Sequence, residues 1–512
     1  MKCVFPFVLV LAVSAPAWGQ TVDSQGAKQL SDDLSRYVGK QAINEGILKV
    51  LVVGDAYEIT FDLKAIAAGL PKQDLPKFDF PPYTLVVKPR GDGSWDVSSD
   101  FSTSGSFEVG NPDGQASAQI AIKDGKFTGV YDPKLAAFTS GASSMAGMTM
   151  TSRMPRQVTD FSVGSGSSKF SARESAKGGV DLNLTQAVAD FGETVKIDDR
   201  AVGAIKASDL AVDVTAKAIR TKPFLDLLAF AVAHEDQDRV KADQAELKAL
   251  LLAALPLWER IDGTYTFKKL AIETYAGDFG ATQLSTAFGA DGIEQNGKLD
   301  YAIKASGLTF PQIFPGWTAT LLPTDIDLNF GGANIDLDSM AKKAIEAFDL
   351  NRDPPLSAEF GDQLKADFMA KTPKVVIGHS TVKNKDMEIA LEGEMTFPGQ
   401  APEMKPDANL TVDVAGFDKV VANLQEAAKS EPEVGQYVPA ALMVKGFAKT
   451  LPDGRLEWVV NTKADGSVTV NGVMLKPADP AVGDSVDDGD SGDDSGNDGG
   501  DDNGGAGAKL NP

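Results

Sequence analysis

Hydrophobic residues recur along this chain with two periods. Tyr57, Ile59, Phe61 and Leu63 alternate with Glu58, Thr60 and Asp62. The same alternation returns at Val180, Leu182 and Leu184, at Ile326, Leu328 and Phe330, and at Leu410, Val412 and Val414. Period two puts every second side chain on one side of a pleated strand, so each segment predicts a strand with one buried face. The polar partners predict antiparallel sheet with a wet face, because strands buried on both faces read as continuous apolar runs. Short amphipathic stretches follow these strands and predict helices. Residues 64–70 stop before Pro71, and residues 338–348 follow Gly331-Gly332 with Asp338 or Ser339 available as N-cap. Residues 417–427 follow Gly416 and keep Phe417, Val420, Val421 and Leu424 on one face, while 185–191 is a weaker copy. A strand-then-helix unit thus repeats as a pattern, without sequence identity between its copies.

Turn residues predict hairpins between these units. Residues 119–131 turn at Asp124-Gly125, 83–99 at Gly91-Asp92-Gly93, 375–396 near Lys383-Asn384-Lys385, and 449–461 at Pro452-Asp453-Gly454. A last strand covers 467–475 with Asn471-Gly472 inside it. Residues 223–258 differ from their surroundings. Apolar helices at 224–233 and 245–257 flank the charged stretch 234–241, a helical hairpin between two β-rich halves. Each apolar run is too short to span a bilayer and Asp226 interrupts the first, so the hairpin is expected to pack across the end or side of the sheet.

Composition adds a compartment. Lys2, an apolar run from Val4 to Val13 and the small-residue exit Ala15-Pro16-Ala17-Trp18-Gly19 read as a secretory signal peptide, cleaved after Gly19 or after Ala17. An apolar core of about ten residues falls short of the ~20 that a spanning helix needs. The single cysteine, Cys3, lies before that run, so the mature chain would hold none. A large secreted chain without disulfides points to a bacterial periplasm and excludes thiol chemistry. The formal charge of −23 speaks against nucleic acid or an anionic membrane as ligand. Nine aspartates between Asp484 and Asp502, with Lys509, account for −8 of it, leaving −15 for the body. From Val482 onward almost nothing is apolar, which predicts a disordered acidic Asp/Gly tail.

Candidate chemistry is sparse. His234 and His379 are far apart in sequence, so a nitrogen- or sulfur-ligated metal site is not expected. His379 lies in an alternating strand, and His234 opens the charged link of the helical hairpin, where a helix-terminus role is expected. Gly292 to Lys298 has the spacing of a phosphate loop, but Leu299 replaces the hydroxyl residue and the flanks predict strand. Ser339-Met340-Ala341-Lys342 has the Ser-x-x-Lys spacing of penicillin-recognising enzymes without their companion motifs. Asp349 to Asp353 opens like a calcium loop, but Pro354 stands where the turn glycine belongs and Glu359 is one residue short. Trp95, Trp258, Trp317 and Trp458 are dispersed and read as packing residues. No catalytic, cofactor-binding or metal residue is assigned, and the protein is expected not to be an enzyme.

The alternating strands followed by short helices resemble the AsmA/YdgA-like envelope proteins of Gram-negative bacteria. So does the closing strand Val468-Thr469-Val470-Asn471-Gly472-Val473-Met474-Leu475, behind 446–456 and 457–461. The resemblance spans most of 56–477 and implies a long, twisted, open antiparallel sheet whose concave apolar face shelters lipid. It carries no catalytic residues. Such proteins are usually tethered by an N-terminal helix, and the cleavable signal here departs from that. The expected fold is α+β and β-rich: a long twisted antiparallel sheet, as open groove or sandwich, with short amphipathic helices after strands and one helical hairpin. The expected division is signal peptide 1–19, N-terminal β-rich half 20–222, helical hairpin 223–258, C-terminal β-rich half 259–477 and tail 478–512. The expected function is a soluble periplasmic β-groove protein that binds an apolar ligand or supports envelope assembly, with a lipid or an envelope protein as partner. No nucleic acid is expected, and no transmembrane segment once the signal is removed. A closed interaction module with a dry core is the alternative, and an envelope enzyme of unknown type the third.

Overall fold

The computed structural model describes residues 22–62, 64, 77–111, 114–314, 316–398 and 405–479. The expected signal peptide, the helix at 64–70 (Lys64 apart) and the acidic tail from 480 lie outside the described residues. Those described form one long, open antiparallel sheet. It begins with β1 (Leu48–Val53), β2 (Ala56–Phe61), β3 (Lys77–Asp79), β4 (Tyr83–Pro89), β5 (Trp95–Asp100) and β6 (Thr103–Asn111). Next come β7 (Gly114–Lys123), β8 (Lys126–Asp132), β9 (Ala137–Met145), β10 (Gly147–Arg153), β11 (Gln157–Val163), β12 (Ser165–Glu174), β13 (Val180–Ile197) and β14 (Arg200–Ile219). The second half holds β15 (Arg260–Thr274), β16 (Gly277–Asp291), β17 (Gly297–Ser306), β18 (Asp325–Ile335), β19 (Lys374–Lys383), β20 (Glu388–Thr396) and β21 (Asp407–Ala415). It ends with β22 (Lys449–Thr450), β23 (Leu456–Thr462), β24 (Val468–Val470) and β25 (Val473–Lys476).

The topology is a meander of long strands, several of them broken midway. β7 and β8 are two halves of one strand: β7 pairs with β6 and β10, while β8 pairs with β5 and β9. Asp124-Gly125 is therefore no hairpin turn, and the expected hairpin at 119–131 is corrected to a kink. Asp124 takes φ 48°, and Gly125 leaves room for Phe101, whose ring a Cβ there would meet at 2.5 Å. Such kinks line up. Ladder register sets Asp124 opposite Ala146, Gly164 opposite Asp190, Asp190 opposite Ser208, and Ser208 opposite Lys269. The line continues through Thr282 to Gly307. Asp190, Lys269 and Gly307 have φ of 53°, 49° and 61°. A seam marked by the left-handed residues Asp124, Asp190, Lys269 and Gly307 thus crosses the sheet, where ladder pairing lapses and then resumes in the same register.

The seam shifts the alternation by one residue. On β13, Val180, Leu182, Leu184 and Val188 occupy even positions before Asp190, and Phe191, Val195 and Ile197 odd positions after it. On β15, Tyr265 and Phe267 give way to Leu270 and Ile272 across Lys269. The apolar face stays on one side: Phe191 meets Phe267 edge-on at 6.3 Å across the seam, and Phe161 at 5.5 Å. The slip also explains why 185–191 resembles a helix in sequence. Leu184, Val188 and Phe191 are spaced four and three apart, which imitates a helical face, yet all lie within β13.

Ten helices are described, as α1 (Ser24–Val38), α2 (Lys40–Asn44), α3 (Thr221–Ala233), α4 (Gln237–Ala242), α5 (Gln244–Ala254), α6 (Gly316–Ala319), α7 (Leu337–Ala347), α8 (Ala358–Ala370), α9 (Phe417–Ala427) and α10 (Tyr437–Gly446). The expected helical hairpin is present as α3 and α5, with α4 as an extra turn. α9 matches its expected bounds. α7 is capped by Asp336, not by Asp338 or Ser339: its Oδ1 accepts from Ser339 N at 2.9 Å and its Oδ2 from Ser339 Oγ at 2.8 Å. The sequence reading missed α1, although Ala27, Leu30, Leu34 and Tyr37 follow helical spacing. Helices α1, α3, α5, α7 and α8 touch in succession along one rim of the sheet. Asn471-Gly472 is corrected from strand to turn, with φ 48° and 79°, joining β24 to β25. Beyond the last strand, Asp479 is held by Lys405 and Lys476, which lower its pKa to about 2.

Two cores anchor the ends. At the first, α1 packs Leu30 and Leu34 onto Tyr57, Val87, Trp95 and Val97, with Leu225 of α3 beside them. At the second, Val414, Leu456, Trp458 and Val470 pack beneath Phe417 and Phe447. Each fully buried side chain of this size contributes roughly 1.5–3 kcal/mol.

Candidate functional site

Ladder register traces one row of residues across the sheet on a single face. It runs Tyr57, Val87, Val97, Gly129, Gly141, Phe170, Leu184, Val214, Gly263, Phe288, Tyr301, Phe330, Ile377, Gly393, Leu410 and Val460. Every member is apolar, aromatic or glycine. A parallel row over the second half reads Ala216, Ile261, Ala290, Leu299, Gly332, Val375, Met395 and Ala408. The glycines make room for neighbouring rings. A Cβ on Gly263 would lie 2.3 Å from the Phe288 ring, and one on Gly141 at 2.3 Å from that of Phe170.

Burial along the first row is uneven. Its first members sit under α1 and are fully buried. In the middle, Tyr301 is 38% and Phe330 46% exposed, their rings 5.2 Å apart, and Tyr265 stacks near Phe288 at 6.2 Å. Leu299 and Val375 are exposed beside them. The stretch from β15 to β19 is thus an apolar sheet face that the described helices leave open. At ~4.8 Å per strand it spans about 19 Å.

The opposite face of the same strands is polar and self-paired. Ala287, Gly289, Ala302, Gly331 and Gly378 floor a depression of about 540 Å³. Arg260 lies flat across it, donating from Nε to Asp262 at 2.8 Å, from Nη1 to Asp291 at 3.0 Å and from Nη2 to Asp300 at 2.7 Å. Those bonds, Asp262 foremost, raise its pKa further. A Cβ on Gly289 would meet Nη2 at 1.9 Å, so the glycine is what lets the fork lie down. With three carboxylates engaging it, this cation is a sheet clamp.

The residues singled out in the sequence do not converge. His379 is an exposed strand residue 3.4 Å from Glu392. His234 is stacked on Phe230, with Nδ1 2.8 Å from the Phe230 carbonyl and Nε2 2.9 Å from Asp243. Residues 292–296 form the turn between β16 and β17, and Gly297 and Lys298 begin β17. Ser339 Oγ donates to Asp336 and Lys342 pairs with Asp338, so neither engages the other. Asp349 accepts from the backbone and side chain of Asn351, closing a local turn. Trp95 and Trp458 are buried in the two cores, while Trp258 donates to the Ala290 carbonyl. Among the described residues no group of three or more His, Cys, Asp or Glu side chains is placed to hold a metal ion, and no helix is long and apolar enough to cross a membrane.

No family model matches the chain, and neither does any curated protein or solved structure compared with it.

Proposed function

We propose that this protein is an exported, periplasmic, non-enzymatic carrier that holds an apolar ligand of the lipid class on the open stretch of its sheet. The uninterrupted apolar row carries the reading: it is buried at one end beneath a helix, yet exposes Tyr301 and Phe330 at its centre. Contiguous exposed apolar surface of this kind marks a ligand or partner site. Its span of about 19 Å compares with ~15 Å for half a bilayer's hydrocarbon core, the length of one acyl chain. Export rests on the segment from Lys2 to Gly19. Support of envelope assembly belongs to the same reading, with the held lipid as cargo.

The alternative, a module closed on a dry core, is less well supported, because the sheet keeps β1 and β25 as separate edges. The test is mass spectrometry of organic extracts from protein purified without detergent. Lipid is expected with the native chain and is expected to be lost from Tyr301→Asp/Phe330→Asp. A lipid-free, monodisperse native protein sinks the proposal.

A further inference from the structure

The apolar face runs out at one rim of the sheet, where the turns after β10, β13 and β15 and the segment after β17 stand side by side. Backbone bonds join these tips: Asp198 N donates to the Arg156 carbonyl at 2.9 Å, Gly203 pairs with Thr274, and Gly280 N donates to Thr309 O at 3.0 Å. The Trp317 ring then meets Tyr437 of α10 at 6.2 Å, which brings that helix onto the same rim.

Turn tips are ordinarily polar. Here Tyr275 is 98% exposed at the tip between β15 and β16, and Met154, Ile197 and Ile313 are exposed on the neighbouring tips. The segment from Ala305 to Thr324 contains no charged residue, nor does that from Val434 to Val444. In a chain of which 24% is charged and whose net charge is −23, such stretches are out of character. The tips 153–156, 197–200 and 273–278, with Lys206 paired to Glu273, carry four basic residues, Arg153, Arg156, Arg200 and Lys206, and four acidic, Asp198, Asp199, Glu273 and Asp278. The rim therefore escapes the acidity of the rest. α10 is apolar apart from Lys445 in its last turn, which pairs with Asp418, yet none of its residues is buried, and Met443 is 65% exposed. A helix this apolar is ordinarily enclosed by protein or by lipid.

We infer that this rim docks on the surface of a lipid bilayer, with Tyr275, Ile313 and the Leu442-Met443 face of α10 entering the headgroup and upper acyl region. Separate projecting tips suit a fluid phase that closes around each, whereas a protein partner would need a matching pocket for every one. Tyr at the outermost tip suits the interface, where an apolar ring and a hydroxyl are both satisfied. Because the contact is apolar and the local charge balanced, zwitterionic lipid suffices and salt has little effect. The inference does not require a lipid to be held on the sheet.

Flotation of the full chain with phosphatidylcholine vesicles tests it. The native protein is expected to float at low and high salt, and Tyr275→Trp to show a blue-shifted emission quenched by brominated lipid. Tyr275→Ser/Ile313→Ser/Met443→Ser changes exposed side chains, so its circular dichroism should match the native protein while its partition falls about tenfold or more. Absence of flotation, a fully solvent-exposed Trp signal, release by salt, or native partition of the triple variant would each overturn the docking. Phe330→Asp separates the two proposals: it should still float, whatever happens to co-purifying lipid.

Discussion

His234 illustrates a side chain whose surroundings choose its charge. Its two ring nitrogens face two acceptors, the Phe230 carbonyl and the Asp243 carboxylate. A neutral imidazole can donate from one nitrogen, an imidazolium from both. The backbone bond to Phe230, then that to Asp243, raise its pKa above 6.5, and Glu246 adds to the attraction. A folded-state pKa above the unfolded one adds stability that is complete below about 6.5 and is lost as pH rises through the folded value. His234→Gln should therefore lower the denaturation midpoint more at about pH 5.5 than at about pH 8.5. An equal loss at both would show that the ring acts by packing alone. Arg260 makes the complementary case, since it stays charged at any working pH and its partners decide only where it lies.

At the scale of the element, the seam decides how long strands can keep one apolar face while bending. Asp190 occupies it with φ 53°, opposite Gly164, whose Cβ would meet the Asp190 carboxylate at 2.8 Å. Aspartate tolerates the left-handed region, and a β-branched residue does not. Asp190→Val should cost about 1–2 kcal/mol, whereas Asp190→Gly should be near neutral. Chemical denaturation of the two variants reads the difference, and equal stability would mean that Asp190 does not set the kink. α1 poses the same question for helices. Its apolar side packs on Tyr57 and Val97, so helix and strands form one unit despite their separation in sequence.

The whole molecule is a meander whose neighbours in space are neighbours in sequence, with separate cores at its two ends. Such an architecture transmits stability from strand to strand, much as a repeat protein does. Leu34→Ala should remove about 2–5 kcal/mol from the first core and leave the second untouched. Trp95 reports on the first core and Trp458 on the second, so variants keeping one or the other as indole probe can be melted separately. The Trp95 transition should move and the Trp458 transition should stay. Coincident shifts would show a single cooperative unit. The same openness leaves both a sheet face and a rim apolar, which underlies the lipid and bilayer proposals alike.

Sequence alone determined the local rules. Alternation at Tyr57–Phe61 and Ile326–Phe330 identified strands with one wet face, the 224–233 and 245–257 runs identified the helical hairpin, and Phe417 to Ala427 identified α9 to the residue. These features are set by period and turn chemistry within a few residues. What the tertiary structure decided depended on registers between distant segments. The seam turned Leu184, Val188 and Phe191 from a helical imitation into one strand, and made Asp124-Gly125 a kink where isolated chemistry favours a turn. It also decided which apolar side chains are covered: Val97 and Phe330 occupy one row and share one pattern, yet only the first has a helix above it. Exposure is a property of what packs from elsewhere, so no alternation along the strand could have revealed it.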